Sequence, residues 1–155
     1  MGTVITRSTS DDLPALLPLL HGYSSFYGAA PQDDALLAMA RAFCEDGPDG
    51  LQLVAREESG RLVGFATLLW SWDTTSASRL AVMEDLFVAD GTRGQGVGRL
   101  LLEACAERAR ERGCPALSWM TAPGNTRAQR LYDAAGAERS SWLTYRLSLR
   151  EPGKD

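Results

Sequence analysis

The sequence predicts an α/β domain built in layers, a mixed central β-sheet flanked by helices. Three observations carry that expectation. Segments with apolar residues at helical spacing alternate with short apolar and aromatic runs, in the order β-α-α-β-β-β-α-β-α-β. In the middle of the chain the run Leu86-Phe87-Val88 leads through the glycine-rich turn Arg93-Gly94-Gln95-Gly96-Val97-Gly98 into the helix-like run Leu100-Leu101-Leu102. The 155 residues are 45% hydrophobic and 23% charged, without repeats or low-complexity linkers, which suits one domain over 1–155 with its core in about 3–150.

The elements follow in order. Residues 3–7 read as a short strand. Ser10-Asp11-Asp12 offers an N-cap with acidic residues in the first turn, and Leu13, Leu16, Leu17 and Leu20 recur at helical spacing. Pro18 removes an internal hydrogen bond and predicts a kink or break there. Tyr23-Ser24-Ser25-Phe26-Tyr27-Gly28 is a compact aromatic cluster. Pro31 opens a second helix with Leu36, Leu37, Met39, Ala40 and Phe43 as its apolar positions, ended by Gly47-Pro48-Asp49-Gly50. Residues 51–56 and 61–70 pair as a hairpin across Glu58-Ser59-Gly60. Residues 72–78 read as a loop and 80–88 as the central strand. Over 97–112 Val97, Leu100, Leu101, Ala104 and Cys105 share one helix face, and Gly113 stops the helix. A strand over 116–120, a helix over 125–135 and a last strand over 143–149 complete the order.

Composition narrows the function. Residues 1–92 carry 13 Asp and Glu against 5 Arg, a net of −8; residues 93–155 carry 11 Arg and Lys against 7 acids, a net of +4. Such a division suits a phosphorylated cofactor at one end and a cationic partner at the other, and the overall −4 argues against nucleic acid. Plain surface solubility is the competing reading. Cys44, Cys105 and Cys114 form no CxxC pair and are expected as reduced thiols without a structural zinc. His21 is the single histidine, a poor basis for a metal site or a Ser-His-Asp triad, so no metal is expected. No apolar run reaches a membrane span of roughly 18 residues, and no basic-then-apolar leader is seen, so a cytoplasmic location is expected.

A strand, a glycine-rich turn and a helix N-terminus together make an anion site. The glycines let a phosphate approach the backbone, and the first helical N–H groups and the helix dipole point at it. A bare strand-to-helix connection is the structural alternative. Two other phosphate loops fit badly: Gly96 is followed by Val97-Gly98 and not by the Lys-Ser/Thr of a Walker A loop, and Arg99 stands where a dinucleotide fingerprint needs its third glycine.

Gln/Arg-x-x-Gly-x-Gly/Ala does fit, through Arg93, Gly96 and Gly98. With Glu84-Asp85-Leu86-Phe87-Val88 before it, and Asn125 through Leu131-Tyr132 with Gly136 after it, the chain resembles the GCN5-related N-acetyltransferase (GNAT) family. The match is close over about 80–137. Tyr23-Ser24-Ser25-Phe26-Tyr27 with Pro31, and Trp119-Met120-Thr121, Arg127-Ala128-Gln129 and Tyr145-Arg146, resemble the fungal histone/polyamine/D-amino-acid branch.

The resemblance implies acetyl-CoA as co-substrate, bound where strand 80–88 parts from strand 116–120. Pantetheine would lie along Leu86, Phe87 and Val88, with a backbone N–H near Leu86 or Phe87 on the acetyl oxygen. Gly94, Gln95, Gly96, Val97, Gly98 and Arg99, with Arg93, would take the pyrophosphate. Asn125, Ala128 or Gln129, and Tyr132 fall on one helix face by their spacing. From spacing alone Tyr132 reads as a buried aromatic whose hydroxyl finds a local partner. The resemblance makes it the general acid, and puts Asn125 and Gln129 beside the cofactor. Glu84 and Asp85 alternate across their strand and are costly to bury without a task or a partner. The resemblance makes Glu84 the acceptor of the amine's proton, and places Asp85 with Tyr23, Phe26 and Tyr27 at the substrate; a structural hydrogen-bond role is the alternative for both acids. The implied activity is direct acetyl transfer to a small cationic primary amine such as a polyamine, with no nucleic acid or membrane partner and at least a homodimer. Protein or histone-tail acetylation, and a non-catalytic acyl-CoA-binding module, are the alternatives.

Overall fold

The computed structural model describes residues 2–45 and 47–153. Its elements are β1 (Val4–Arg7), α1 (Leu13–Phe26), α2 (Asp33–Ala42), β2 (Gly50–Arg56), β3 (Leu62–Asp73), β4 (Ser78–Val88), α3 (Val97–Glu111), β5 (Leu117–Ser118) and α4 (Thr126–Ala134), with 3-10 turns at Ser10–Asp12 and Asp90–Thr92. The strands form one mixed sheet in the order β1-β2-β3-β4-β5, antiparallel except for the parallel pair β4 and β5. The layered α/β class is as predicted.

Alternation along the strands divides the core. Leu51, Leu53, Ala66, Leu68 and Met83 face α3, whose Val97, Leu101, Leu102 and Cys105 close that layer. Val54 and Phe65 face the other way, onto Leu13, Leu16, Leu19 and Leu20 of α1 and Leu36 and Ala40 of α2. Leu131 and Tyr132 bring α4 to the α3 side. Burial lifts the Cys105 thiol to about 12, and all three cysteines are free and buried.

Several predicted features are corrected. Pro18 neither breaks nor ends α1, which runs through it. One missing hydrogen bond is outweighed by Leu16, Leu19 and Leu20, buried on both sides of it. The predicted loop over 72–78 shrinks to a turn because β3 and β4 pair out to Asp73↔Ser78, where Asp73 accepts hydrogen bonds from the Thr75 and Ser76 amides. Strand 116–120 is paired only at Leu117 and Ser118. The last predicted strand, 143–149, is absent. Among the described residues that stretch finds no backbone partner, and Trp142, Leu143, Tyr145, Leu147 and Leu149 stand 80–92% exposed. It is tethered by Arg139 to Asp133 on α4 and by the Thr144 hydroxyl to the Met120 sulfur.

Asp12 ties the first helix to the sheet. Its carboxylate accepts from the Thr9 amide at 3.0 Å and from Arg56 on β2 at 2.6 Å. Burial works to raise its pKa, but Arg56 and Thr9 outweigh burial and hold it below the usual value. A lowered native pKa gives stability that is present above the unfolded carboxylate value and lost as pH falls through the native one. Asp12→Asn is therefore expected to cost about 2 kcal/mol in urea unfolding at pH 7. The gap to wild type should narrow below about pH 4; a gap constant down to pH 3 would contradict this account.

Candidate functional site

The parallel ladder between β4 and β5 holds only at Ala81↔Leu117 and Val82↔Ser118. Beyond it the chains part, and a cavity of about 410 Å3 opens between Leu86-Phe87-Val88 and Trp119-Met120-Thr121. The backbone edge of β4 that faced β5 loses its strand partner there, so its polar groups are open to a ligand. The N-terminus of α3 closes one end of the cavity. Gly94 and Gly96 hold φ of 80° and 83°, a left-handed turn that aims the first N–H groups of α3 inward. A Cβ on Gly98 would lie 3.3 Å from Leu131, so the glycine also allows α4 to pack close.

Arg93, Gly94, Gly96, Val97, Gly98 and Arg99 all line this end. Gln95 does not; its amide turns back to the Gly91 carbonyl. Arg93 braces the turn, with Nε on the Val88 carbonyl at 2.9 Å, an ion pair to Asp90 at 2.6 Å, and its guanidinium over the Phe87 ring. Arg127, which the loop motif does not signal, lies 3.7 Å from a Cβ built on Gly94 and lines the same end. A further cation at the turn thus comes from α4, and only the fold brings it there.

On α4, Asn125 lines the cavity but also caps the helix, accepting from the Ala128 amide at 3.3 Å. Gln129 is turned away onto the Ala122 and Pro123 carbonyls. Tyr132 does face the cavity, its ring edge-on to Trp119 at 5.0 Å. Burial, and then the neighbouring Tyr27, push its hydroxyl up to about 12.

The remaining wall comes from α1 and β4. Tyr23, Phe26 and Tyr27 line it together, their rings in edge contact at 5.1 Å. Opposite β3 the register steps from Thr67↔Asp85 to Leu68↔Met83, leaving Glu84 unpaired. The resulting β-bulge turns Glu84 into the cavity, and its carboxylate is the one acid among the lining residues. The predicted grouping of Asp85 with the lining side chains is corrected: Asp85 sits on the opposite face, toward α1, where burial raises its pKa and the neighbouring Tyr23 and Thr67 hydroxyls work against that rise. Asp33 and Asp34, at the start of α2, are outside the cavity, with Asp33 bonded to His21 at 2.6 Å.

Among the described residues no cluster of three metal-ligating side chains occurs, and no helix is long and apolar enough to cross a membrane. The family model for the acetyltransferase (GNAT) family matches residues 13–137. The uncharacterized N-acetyltransferase YhfO of Bacillus subtilis is 31% identical over 150 residues, 97% of this chain and 99% of the relative. A D-amino-acid N-acetyltransferase of Saccharomyces cerevisiae, HPA3, is 41% identical over 75 residues, 48% of this chain and 47% of the relative. The aminoglycoside N-acetyltransferase AAC(6')-Iy, solved in complex with CoA, superposes with a TM-score of 0.80 at 21% identity, covering 97% of this chain and 98% of that one.

Valine at position 96 would be forced into the left-handed region, a strain that the turn relieves by changing shape and re-aiming its N–H groups. Gly96→Val is expected to weaken CoA binding at least about tenfold in calorimetry. An unchanged affinity would remove the phosphate from this turn.

Proposed function

Because the chain belongs to the acetyltransferase (GNAT) family and is an N-acetyltransferase, we propose that it moves the acetyl group of acetyl-CoA directly to a small cationic primary amine in a ternary complex. The observation that carries this reading is the pair of groups at the two ends of the splay. Glu84 is bulged into the cavity from β4, and Tyr132 faces it from α4 with its proton held firmly.

Each part has a task. The pyrophosphate sits on the α3 N-terminus, with Arg127 and Arg99 beside it, and Arg93 keeps the turn in shape. Pantetheine follows the open edge of β4 past Asn125 to the point where β5 leaves. A β4 backbone N–H near Leu86 or Phe87 polarises the thioester carbonyl. The acceptor enters between Glu84 and the aromatic wall. An alkylammonium titrates near about 10.4, so it must shed a proton before attack, and the Glu84 carboxylate takes it. The free amine nitrogen then bonds to the acetyl carbon, whose carbonyl pair moves onto oxygen; as that pair returns, the carbon–sulfur bond breaks, the Tyr132 hydroxyl gives its proton to the departing sulfur, the nitrogen sheds its second proton to solvent, and Tyr132 takes a proton back from solvent.

The acceptor class follows from what lines the mouth. One carboxylate holds one ammonium, and the half-exposed faces of Phe26 and Tyr27 offer cation–π contact to a second charge or to an alkyl body. That combination favours polyamines and similar basic amines. The partial likeness to HPA3 supports placing the chain near the fungal branch.

The expected dimer also has support. Residues 143–149 alternate Leu143, Tyr145, Leu147 and Leu149 against Thr144, Arg146 and Ser148, a strand pattern without a strand partner, beside the open edge at residues 119–121. In a two-fold pair each arm adds to the other's sheet, the same surface serving both copies. Light scattering should give a dimer mass, and truncation after Glu138 should give a monomer; a monomeric full chain would end this proposal.

CoA release across an amine panel tests the activity. Tyr132→Phe should lower kcat roughly 10²-fold with the KM for acetyl-CoA unchanged. With its hydroxyl pushed to about 12, Tyr132 should cause no alkaline decline below about pH 10. Activity should climb with pH in wild type and flatten in Glu84→Gln, and salt should raise the KM for the amine. A preference for anionic acceptors would refute the cationic-acceptor reading, and lysine-bearing peptides outperforming free amines would shift it to protein acetylation.

A further inference from the structure

The helix that carries Tyr132 is lightly seated. α4 spans nine residues, Thr126–Ala134, and none of them is fully buried. Leu131 and Tyr132 are the two that pack on the α3-side core. Leu131 meets α3 where Gly98 leaves room, a Cβ on that glycine lying 3.3 Å away. Tyr132 meets Trp119, the ring centroids 5.0 Å apart and the planes at 61°. An edge-on contact at this spacing is an arrangement that aromatic rings prefer. Trp119 is the first residue past the parallel ladder, whose last pair is Val82↔Ser118. Alternation gives it the same face as Leu117, and both pack on the α3-side core. Its ring therefore stands in the opening where β5 leaves β4, and both rings line the cavity.

We propose that Trp119 is a positioning residue for the proton-delivery step: its ring holds the Tyr132 hydroxyl in the cavity, at the place where the thiolate departs. The inference rests on the reading of Tyr132 as the acid and deepens it. A tyrosine side chain chooses among staggered wells at χ1. A helix with no buried residue of its own does little to make that choice for Tyr132. A general acid must stand within about 2.6–3.2 Å of the atom it protonates. An error of about 1 Å in such a placement can cost roughly 10²-fold in rate. With the Trp119 ring against it, Tyr132 keeps one orientation. Trp119 makes and breaks no bond; it acts through Tyr132 alone. The residue that follows the end of the ladder is thus the one that sets the acid, so the opening of the cavity and the place of the proton donor are fixed together.

Steady-state kinetics with the best amine gives the first test. Trp119→Leu should lower kcat about tenfold, with the KM for acetyl-CoA within about threefold of wild type. Trp119→Phe, which keeps an aromatic ring against Tyr132, should hold kcat within about threefold of wild type. Added to Tyr132→Phe, Trp119→Leu should lower kcat no further, as expected of a residue that acts through the hydroxyl already removed. A wild-type kcat in Trp119→Leu, a Trp119→Phe as slow as Trp119→Leu, or losses that multiply in the double variant would overturn the proposal. NMR of labelled tyrosine provides a readout that needs no turnover, the Tyr132 signals being those missing from Tyr132→Phe. Couplings across χ1 should report one well for Tyr132 in wild type and an average over wells in Trp119→Leu. A single unchanged well in Trp119→Leu would overturn the proposal even if Tyr132 proves to be the acid. Averaging in Trp119→Leu, together with a wild-type rate in Tyr132→Phe, would fault the acid reading and leave the Trp119–Tyr132 placement standing.

Discussion

The site depends on one interruption: the parallel ladder between β4 and β5 ends after two residue pairs. Had it continued, the backbone of β4 would be satisfied by β5 and no cavity would exist between them. Stopping the ladder leaves a row of polar backbone groups along an apolar wall, a surface suited to an extended chain with amide groups of its own. The α3 N-terminus sits at one end of that row and the aromatic wall of α1 at the other. A long, thin ligand with an anionic head is therefore favoured by the fold before any side chain is consulted.

The bulge at Glu84 is the second constraint, and it answers a problem of parity. Leu86 and Val88 pack toward α3, while Phe87 and Asp85 face α1. A strictly alternating strand would give residue 84 to the α3 layer, where a carboxylate has no partner. The extra residue releases it to the cavity and lets Met83 keep its place in the core. Behind Asp85, Thr67 on β3 and Gln52 on β2 continue a buried polar row of the opposite character. It is anchored at its far end by Gln52, whose side-chain oxygen has no hydrogen-bond partner among the described residues. Retaining such a group inside a sheet layer is unfavourable for stability, offset in part by the hydrogen bond that the Gln52 amide gives to Thr67.

Much of the fold and part of the site were legible in the sequence, and the reasons differ by residue. The turn at residues 93–98 and the α3 face were readable because glycine conformation and helical spacing are local properties. Tyr132, Glu84 and the aromatic trio were found through a motif, and the fold brings them to one cavity. The side chains of Gln129, Gln95 and Asp85 do not line the cavity, because a motif gives position without direction. Gln95 and Gln129 turn to carbonyls a few residues before them, and Asp85 lies on the face of β4 toward α1. Arg127 was passed over because its nearness to Gly94 arises only when α4 docks against α3. Residues 143–149 have every local mark of a strand; what they lack is an edge to pair with among the described residues, which no local pattern can report.

The bulge has a consequence for how such a protein can change. Most positions along β4 serve one of the two packed layers, so altering them disturbs a core. Residue 84 belongs to neither layer and is bound to no ladder partner. It is a position on a rigid strand that carries none of the strand's packing obligations. A substitution there changes the charge presented to the cavity without disturbing either core, so the character of the cavity mouth can change while the packing of the sheet stays as it is.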